Sequence, residues 1–296
     1  MDIRIYDVEH GDCALVIVEH GDCALVISRE NEAVLVDCGY NATTNWRPAK
    51  GLAEQGFGMR RKLHHLILTH PDQDHLADLP NVLELLKPVN VWQHPELSLR
   101  SLAELKATLS KAQEAYLESK TKPPSELQPI VATSKVRTME LRQFYLPIGS
   151  VRDANDLSLV SFFTEDGFTV CFPGDLTARG WKLFLANKAF QYLLRETNLF
   201  IASHHGRPTG YYASVFDYLS PKLIVISDKE QVKGKIVTQR APYREHAKGV
   251  KMPDGSFRRV LTTRGDGRIR VVIKDGKWDV STSRTSTPTN MERSRQ

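Results

Sequence analysis

The chain has 296 residues, 41% of them hydrophobic and 25% charged, which fits a soluble globular protein of one large or two small domains with a sizeable core. No apolar stretch approaches the length of a membrane span, and the first residues lack the basic-then-apolar pattern of a secretory signal, so the expected location is the cytoplasm, with no membrane partner. The net charge of +5 permits an anionic substrate but does not by itself argue for nucleic acid.

The first strand is expected over Ile3 to Val8. Residues 8–17, Val-Glu-His-Gly-Asp-Cys-Ala-Leu-Val-Ile, are then repeated without change as residues 18–27. Each copy reads as a Glu-His-Gly-Asp turn followed by a strand. An extra strand in a meander reverses everything after it. The second copy is therefore expected to supply the core pair, Leu15–Val18 and Ala24–Ile27 around a turn at Glu19 to Asp22, with Ile3–Val8 displaced to an added edge. His10 and His20 read as turn residues. Ala33 to Val36 forms a third strand ending at Asp37-Cys38-Gly39, and Asn41 to Gly58 reads as a polar loop able to lie over a site. Cys13, Cys23, Cys38 and Cys171 make no CxxC pair or disulfide framework and read as small core residues.

The apolar run Leu66-Ile67-Leu68-Thr69 reads as a buried strand, and the segment from Leu76 to Lys87 carries apolar residues at helical spacing. Between them stand His70-Pro71-Asp72-Gln73-Asp74-His75, four potential metal ligands within six residues. A strand-to-helix loop at the carboxyl end of a strand is where open α/β sheets keep their sites. His70 and Asp72 alternate by two and can face one side, while Asp74 and His75 follow the turn and can face a second point nearby. That arrangement suits two ions sharing one loop. A single such residue would read as a turn or a helix cap; four at this spacing favour metal.

Farther along, Val89 to Trp92 is a short strand, His94 is left as a surface residue, and Ser98 to Lys120 reads as one amphipathic helix carrying substrate selectivity. Thr121 to Gln128 is a linker-like break. Strands follow at Arg142–Pro147, Asn155–Phe162 and Phe168–Phe172, the last running into Pro173-Gly174-Asp175. A helix around Trp181 to Leu194 leads to the strand Leu199–Ala202 and to Ser203-His204-His205-Gly206. Leu223 to Ser227 is another buried strand. Val260–Thr263 and Arg268–Ile273 flank Gly265-Asp266-Gly267 and read as a hairpin closing a second sheet. Residues 281–296, rich in Ser, Thr and Arg, read as a disordered tail beyond a single domain of residues 1–280.

The stretch Thr69-His70-Pro71-Asp72-Gln73-Asp74-His75 resembles the HxHxDH signature of the metallo-β-lactamase superfamily, in the HxDxDH form of the soluble domain of ComEC-type competence proteins. The accompanying motifs occur in the same order over residues 1 to 275. The resemblance implies a four-layer αββα fold of two mixed sheets. It implies two divalent ions, zinc or manganese with magnesium as a further option, bound by His70, Asp72, Asp74, His75 and a bridging Asp175. Asn155 or Asp156 stands where better-known members have a third-motif histidine, and either oxygen would substitute for it. One of His204 and His205 would be a ligand and the other would contact phosphate or give a proton to the leaving group; strand-end placement favours His204 as the ligand. Asp37 would support the metal loop without ligating, and His246 sits at a possible substrate-side position, although Ala247 replaces the expected proline. The implied activity is hydrolysis, most of all of phosphodiesters such as nucleic acid, with Asp74, His204 and His205 at the catalytic centre and a metal-bridging hydroxide as nucleophile. Hydrolysis of a small phosphoester, lactone or thioester, or a non-enzymatic adaptor role, are the alternatives.

Overall fold

The first strand of the chain, β1 (Asp2–Ile5), pairs antiparallel with β2 (Ala24–Ile27), Ile5 opposite Ala24, and β2 is the end of the second copy of the duplicated segment. The computed structural model describes residues 1–5, 23–40, 46–105, 109–119, 132–136, 139–228, 238–274 and 276–284. β2 continues antiparallel into β3 (Ala33–Val36), which lies parallel to β4 (His65–Ile67), itself parallel to β5 (Asn90–Trp92). Among the described residues two strands thus precede β3, as the polarity of the sheet requires, but the first of them is the original one. β1 is flanked on its other side by a late strand and is not an added edge. The expected strand Leu15–Val18, its turn, Cys13, His10 and His20 lie outside the described residues.

Between β3 and β4 the expected loop contains a helix, α1 (Pro48–Glu54), with proline in its first turn, where a missing N–H costs nothing. Buried Asp78 supports its start, accepting from the backbone N–H of Ala49 and from Arg47. After β4 come two short helical segments, α2 (Gln73–Leu76) and α3 (Leu79–Asn81), and a π-type turn at Val82–Leu86. The expected single helix of residues 98–120 is two, α4 (Leu99–Leu105) and α5 (Lys111–Glu118). Ser110 starts the second with a reciprocal capping box to Gln113, a Ser-x-x-Gln signal visible in the sequence. The expected linker, residues 121–128, lies outside the described residues.

The second half builds the other sheet: β6 (Ala132–Val136), β7 (Met139–Phe144), β8 (Val160–Glu165) and β9 (Phe168–Phe172) form an antiparallel meander. Helices α6 (Ala178–Phe184) and α7 (Lys188–Glu196), capped by Thr177 and Asn187, then lead to β10 (Thr197–Ile201), parallel to β9. β11 (Leu223–Ile226) adds parallel to β10. After a short helix, α8 (Ala241–Arg244), and a two-strand ribbon of β12 (Val250–Lys251) with β13 (Phe257–Arg258), β14 (Val260–Thr262) adds parallel to β11. The expected hairpin around Gly265 does not form. Residues Thr263–Asp266 make a single helical turn, α9, capped by the Thr262 hydroxyl and by the Asp266 carboxylate, which accepts from the Thr262 N–H. This turn sends β15 (Ile269–Lys274) across to the first sheet, between β1 and β16 (Lys277–Thr282). Ser281 and Thr282, expected in the tail, belong to β16; residues 285–296 lie outside the described residues.

The two seven-stranded sheets run β16-β15-β1-β2-β3-β4-β5 and β14-β11-β10-β9-β8-β7-β6. Side chains alternate across each strand. Ile3, Val26, Val34 and Ile67 meet Leu141, Val170, Leu199 and Val225 in one buried cluster between the sheets. Leu25, Leu35 and Leu66 on the opposite face pack with Leu52, Leu79 and Val82, while Phe162, Cys171 and Phe200 pack with Trp181, Phe190 and Leu194. The order of layers is therefore αββα, as expected. The central strands carry near-continuous apolar runs because both faces are covered.

Candidate metal centre

β3, β4, β9, β10 and β11 end on one side of the molecule, and each is followed by a loop that contributes to a single cluster. After β4, Thr69 is tied to Asp37, which follows β3: its backbone N–H donates to Oδ1 and its hydroxyl to Oδ2, both at 2.7 Å. Asp37 Oδ2 also lies 2.8 Å from His75 Nδ1. A carboxylate accepts only, so Nδ1 carries the proton and the lone pair of Nε2 points into the cluster. From outside the sheet α5 holds the same loop. The Gln113 amide donates to the Pro71 carbonyl and the Ser110 hydroxyl to Gln73 Oε1, each at 2.6 Å. Helix α5 therefore buttresses the loop.

Asp175 follows β9 at a turn that needs glycine before it. Gly174 has φ +59°, and a Cβ there would stand 2.7 Å from Ser158 Oγ. That hydroxyl accepts from the Asp175 N–H at 3.0 Å. After β10, His204, His205 and Gly206 all take left-handed backbone, with φ of 50°, 53° and 68°, a costly choice for two histidines. His205 is buried, and its Nδ1 donates to the Ser227 carbonyl at the end of β11, 3.0 Å away. Its Nε2 then lies 3.5 Å from both Asp74 Oδ2 and Asp175 Oδ2.

Two groups of ligand-type atoms result, His70 with His75 and Asp175, and Asp74 with His75 and His205, the atoms of each lying within 4.8 Å of one another. His70 Nε2 is 3.9 Å from Asp175 Oδ2, and His75 Nε2 is 3.4 Å from Asp175 Oδ1. Asp72 borders the first group, its Oδ2 4.0 Å from His70 Nε2. His70 Nε2, His75 Nε2 and Asp175 Oδ1 are buried without a hydrogen-bond partner. Buried polar atoms left in this state are costly and few in native proteins, and here they converge as lone pairs on common points. The donor set fits divalent cations. Burial alone would raise the Asp175 and Asp74 carboxyls, but the neighbouring imidazoles outweigh it and hold both below the ordinary carboxylate range. Burial likewise opposes charge on His75, yet Asp175 and Asp37 raise its pKa well above the usual value, so a cation binding at Nε2 would displace a proton from it.

Not every expected residue joins the cluster. His205, not His204, occupies the buried ligand-type position, because the left-handed turn rotates the second ring inward. His204 stays half-buried at the rim, Nε2 3.8 Å from Asp175 Oδ2 and 3.3 Å from Arg207 Nη1, with Nδ1 2.9 Å from the Thr209 hydroxyl. Asn155 is in neither group. Asp156 turns away to accept from the Thr177 N–H and hydroxyl, so this motif braces the Asp175 turn through Asp156 and Ser158. His246 stacks on Phe216 apart from both groups. His94 is fully buried, its Nε2 2.9 Å from the Leu146 carbonyl, and is not a surface residue. Gln113, Ser158 and Ser227 were not anticipated as site residues; only Ser158 carried a signal, by lying in the Asn-Asp-x-Ser motif.

Residues 16–180, more than half of the chain, match the sequence model of the Metallo-beta-lactamase superfamily. The chain belongs to the metallo-beta-lactamase superfamily. Its fold is shared by Igni18, a metallo hydrolase from Ignicoccus hospitalis, at 10% identity and TM-score 0.50 over 93% of this chain and all of that one. The superfamily protein YhfI from Bacillus subtilis is 13% identical with TM-score 0.44, covering 78% of this chain and 88% of that one. A putative metal-dependent hydrolase from Parabacteroides distasonis is 12% identical with TM-score 0.44, covering 81% and 92%. No curated protein matches the chain. The family is one of metal-dependent hydrolases, and among the described residues no helix is long and apolar enough to cross a membrane.

Proposed function

We propose that this superfamily member is a two-metal phosphodiesterase acting on nucleic acid. His70, Asp72, His75 and Asp175 would hold one divalent ion and Asp74, His205 and Asp175 the other, with His75 at their junction. Such ions, when bound, acidify water and neutralise charge on a phosphoryl oxygen. The chain's own residues supply the rest. Asp37, Ser227 and Gln113 hold the ligands in place, so little reorganisation is needed on binding.

The observation that favours a phosphoester over a neutral lactone or thioester is Arg207. Its guanidinium stands beside His204 at the rim of the cluster, and its Nε is buried without a hydrogen-bond partner. Arginine only donates, so His204 Nε2 accepts from it and the ring is neutral with its proton on Nδ1. Burial, with Arg207 and His205 nearby, keeps the His204 pKa below its ordinary value against the pull of Asp175. Arrival of an anionic phosphate at Arg207 would draw the guanidinium away and free Nε2 to take and deliver a proton. The resemblance of the metal loop to the ComEC-type form supports the same substrate class.

The test is hydrolysis of labelled single-stranded DNA, duplex DNA and RNA, beside a lactone and a thioester, after chelation and re-addition of Mn²⁺, Zn²⁺ or Mg²⁺. Cleavage of a nucleic acid that disappears in Asp175→Ala, with the fold retained by circular dichroism, is the expected result. Turnover of the lactone or thioester alone would overturn the reading.

A further inference from the structure

Next to the rim formed by His204 and Arg207, the chain makes two tight turns, the Gly210 N–H donating to the Arg207 carbonyl and the Tyr211 N–H to the Pro208 carbonyl. Gly210 is pressed against the site: a Cβ there would stand 2.5 Å from the Ser203 carbonyl oxygen and 2.7 Å from His204 Cβ. Tyr211, the next residue, therefore has its Cα within about 8 Å of His204, given the ~3.8 Å spacing of neighbouring Cα atoms.

Tyr211 opens a set of nearly parallel rings. Phe216 and His246 stack with centroids 3.9 Å apart and planes 7° apart. Tyr211 lies 27° from Phe216 and 28° from His246, and its hydroxyl is 3.1 Å from His246 Nε2. All three are half-buried, with Tyr211 and Phe216 packed on one side against the core and Phe216 edge-on to Phe200. Tyr243 braces them from beneath, edge-on to Tyr211 and Phe216 and almost wholly buried. Charge is unevenly spread: Arg207 stands at the cluster end, whereas Asp217 and Glu245 lie near His246. A backbone phosphate is favoured at the first and disfavoured at the second, where a flat, uncharged group fits.

We propose that Tyr211, Phe216 and His246 form a stacking platform for a nucleobase adjacent to the phosphate held at Arg207, and that the preferred substrate is accordingly a single-stranded nucleic acid. A base paired within a duplex has both faces covered by its neighbours, whereas an unpaired one is free to stack on aromatic rings, with little sequence preference. This inference rests on the phosphodiester reading above and adds strandedness to it.

The experiment is fluorescence anisotropy with the full chain in EDTA, so that nothing is cleaved, using a labelled 12-nucleotide thymidine strand and a 12-unit abasic strand of equal charge. The wild-type protein should bind the base-bearing strand about tenfold more tightly. Tyr211→Leu and Phe216→Leu should remove that preference and leave affinity for the abasic strand within twofold, whereas Tyr211→Phe and Phe216→Trp should retain it. Thermal melts show whether each variant is folded. If Phe216→Leu is not, the Tyr211 pair decides. Equal wild-type affinity for the two strands, or a preference that survives loss of the Tyr211 ring, would overturn the platform. A base preference in a protein that hydrolyses no strand once metal is restored would leave the platform standing and sink the phosphodiester reading instead.

Discussion

Replacing Asp37 by alanine should cost the protein both stability and metal. The carboxylate accepts from three groups: the Thr69 N–H, the Thr69 hydroxyl and His75 Nδ1, all within 2.8 Å and all buried. The His75 Nδ1–H can turn to the Thr69 hydroxyl oxygen, 3.4 Å away, which leaves two donors, the Thr69 N–H and O–H, stranded. Each buried donor without a partner costs about 1–3 kcal/mol, so a loss of about 4 kcal/mol follows. Alanine also inherits the left-handed backbone of position 37, φ +57°, without relieving it. Freed from its anchor, the His75 ring can rotate or exchange its tautomer, and loss of such a supporting carboxylate typically lowers metal affinity 10–100-fold. Urea denaturation of the metal-free protein measures the first effect and competition with a fluorescent chelator the second. Asp37→Asn, which keeps the shape and one acceptor, should fall between parent and alanine in both. An alanine variant within 1 kcal/mol of the parent, with unchanged metal affinity, would refute the idea that Asp37 organises the loop.

Three further outcomes are expected. Deletion of residues 8–17 should leave a folded protein of equal or greater stability in thermal melts, because β1 and β2 keep their pairing and only their connection shortens; a variant that fails to fold would show that both copies are structural. Asp228 is held up at about 6 by burial, against the pull of Arg264; an acid raised in the folded state favours folding below its unfolded value and loses that contribution as pH rises through about 6. Stability of Asp228→Asn relative to the parent should therefore improve by up to about 3 kcal/mol between pH 4 and pH 8, and a pH-independent difference in urea melts would contradict this. Hydrolysis after chelation should recover better with Mn²⁺ than with Zn²⁺, because Asp72, Asp74 and Asp175 make the site rich in oxygen, and Asp72→His should shift the preference toward Zn²⁺; a parent that already prefers Zn²⁺, with no change in the variant, would show that position 72 does not set the metal.

The legible parts of the chain are those where local pattern and chemistry coincide. His70 to His75 stands out because ligand-type residues crowd a strand end, and the buried strands show as unbroken apolar runs. What escapes is decided by distant partners. Nothing near Gln113 says that its amide will meet the Pro71 carbonyl, and His94 reads as surface until Tyr116 and Leu146 close over it. The choice between His204 and His205 turns on a backbone conformation that neither residue prefers by itself. Gly265-Asp266-Gly267 has the composition of a hairpin loop, yet the Asp266 carboxylate folds back on Thr262 and the chain leaves for the other sheet.

The left-handed turn at His204 and His205 bears on what kind of object the site is. Its backbone is the mirror image of an ordinary helical turn, one that D-histidine would adopt freely and that L-histidine resists by about 1–2 kcal/mol per residue. A short peptide of the same Ser-His-His-Gly sequence would relax out of it at once. The pair is held by its anchors, the Gly174 carbonyl accepting from the His204 N–H and the Ser227 carbonyl accepting from the His205 ring. They follow β9 and β11, the two strands that flank β10 and run parallel to it. Transplanting the motif into another scaffold would therefore carry over the two imidazoles but not their opposed directions, one inward to the carboxylates and one outward to the rim.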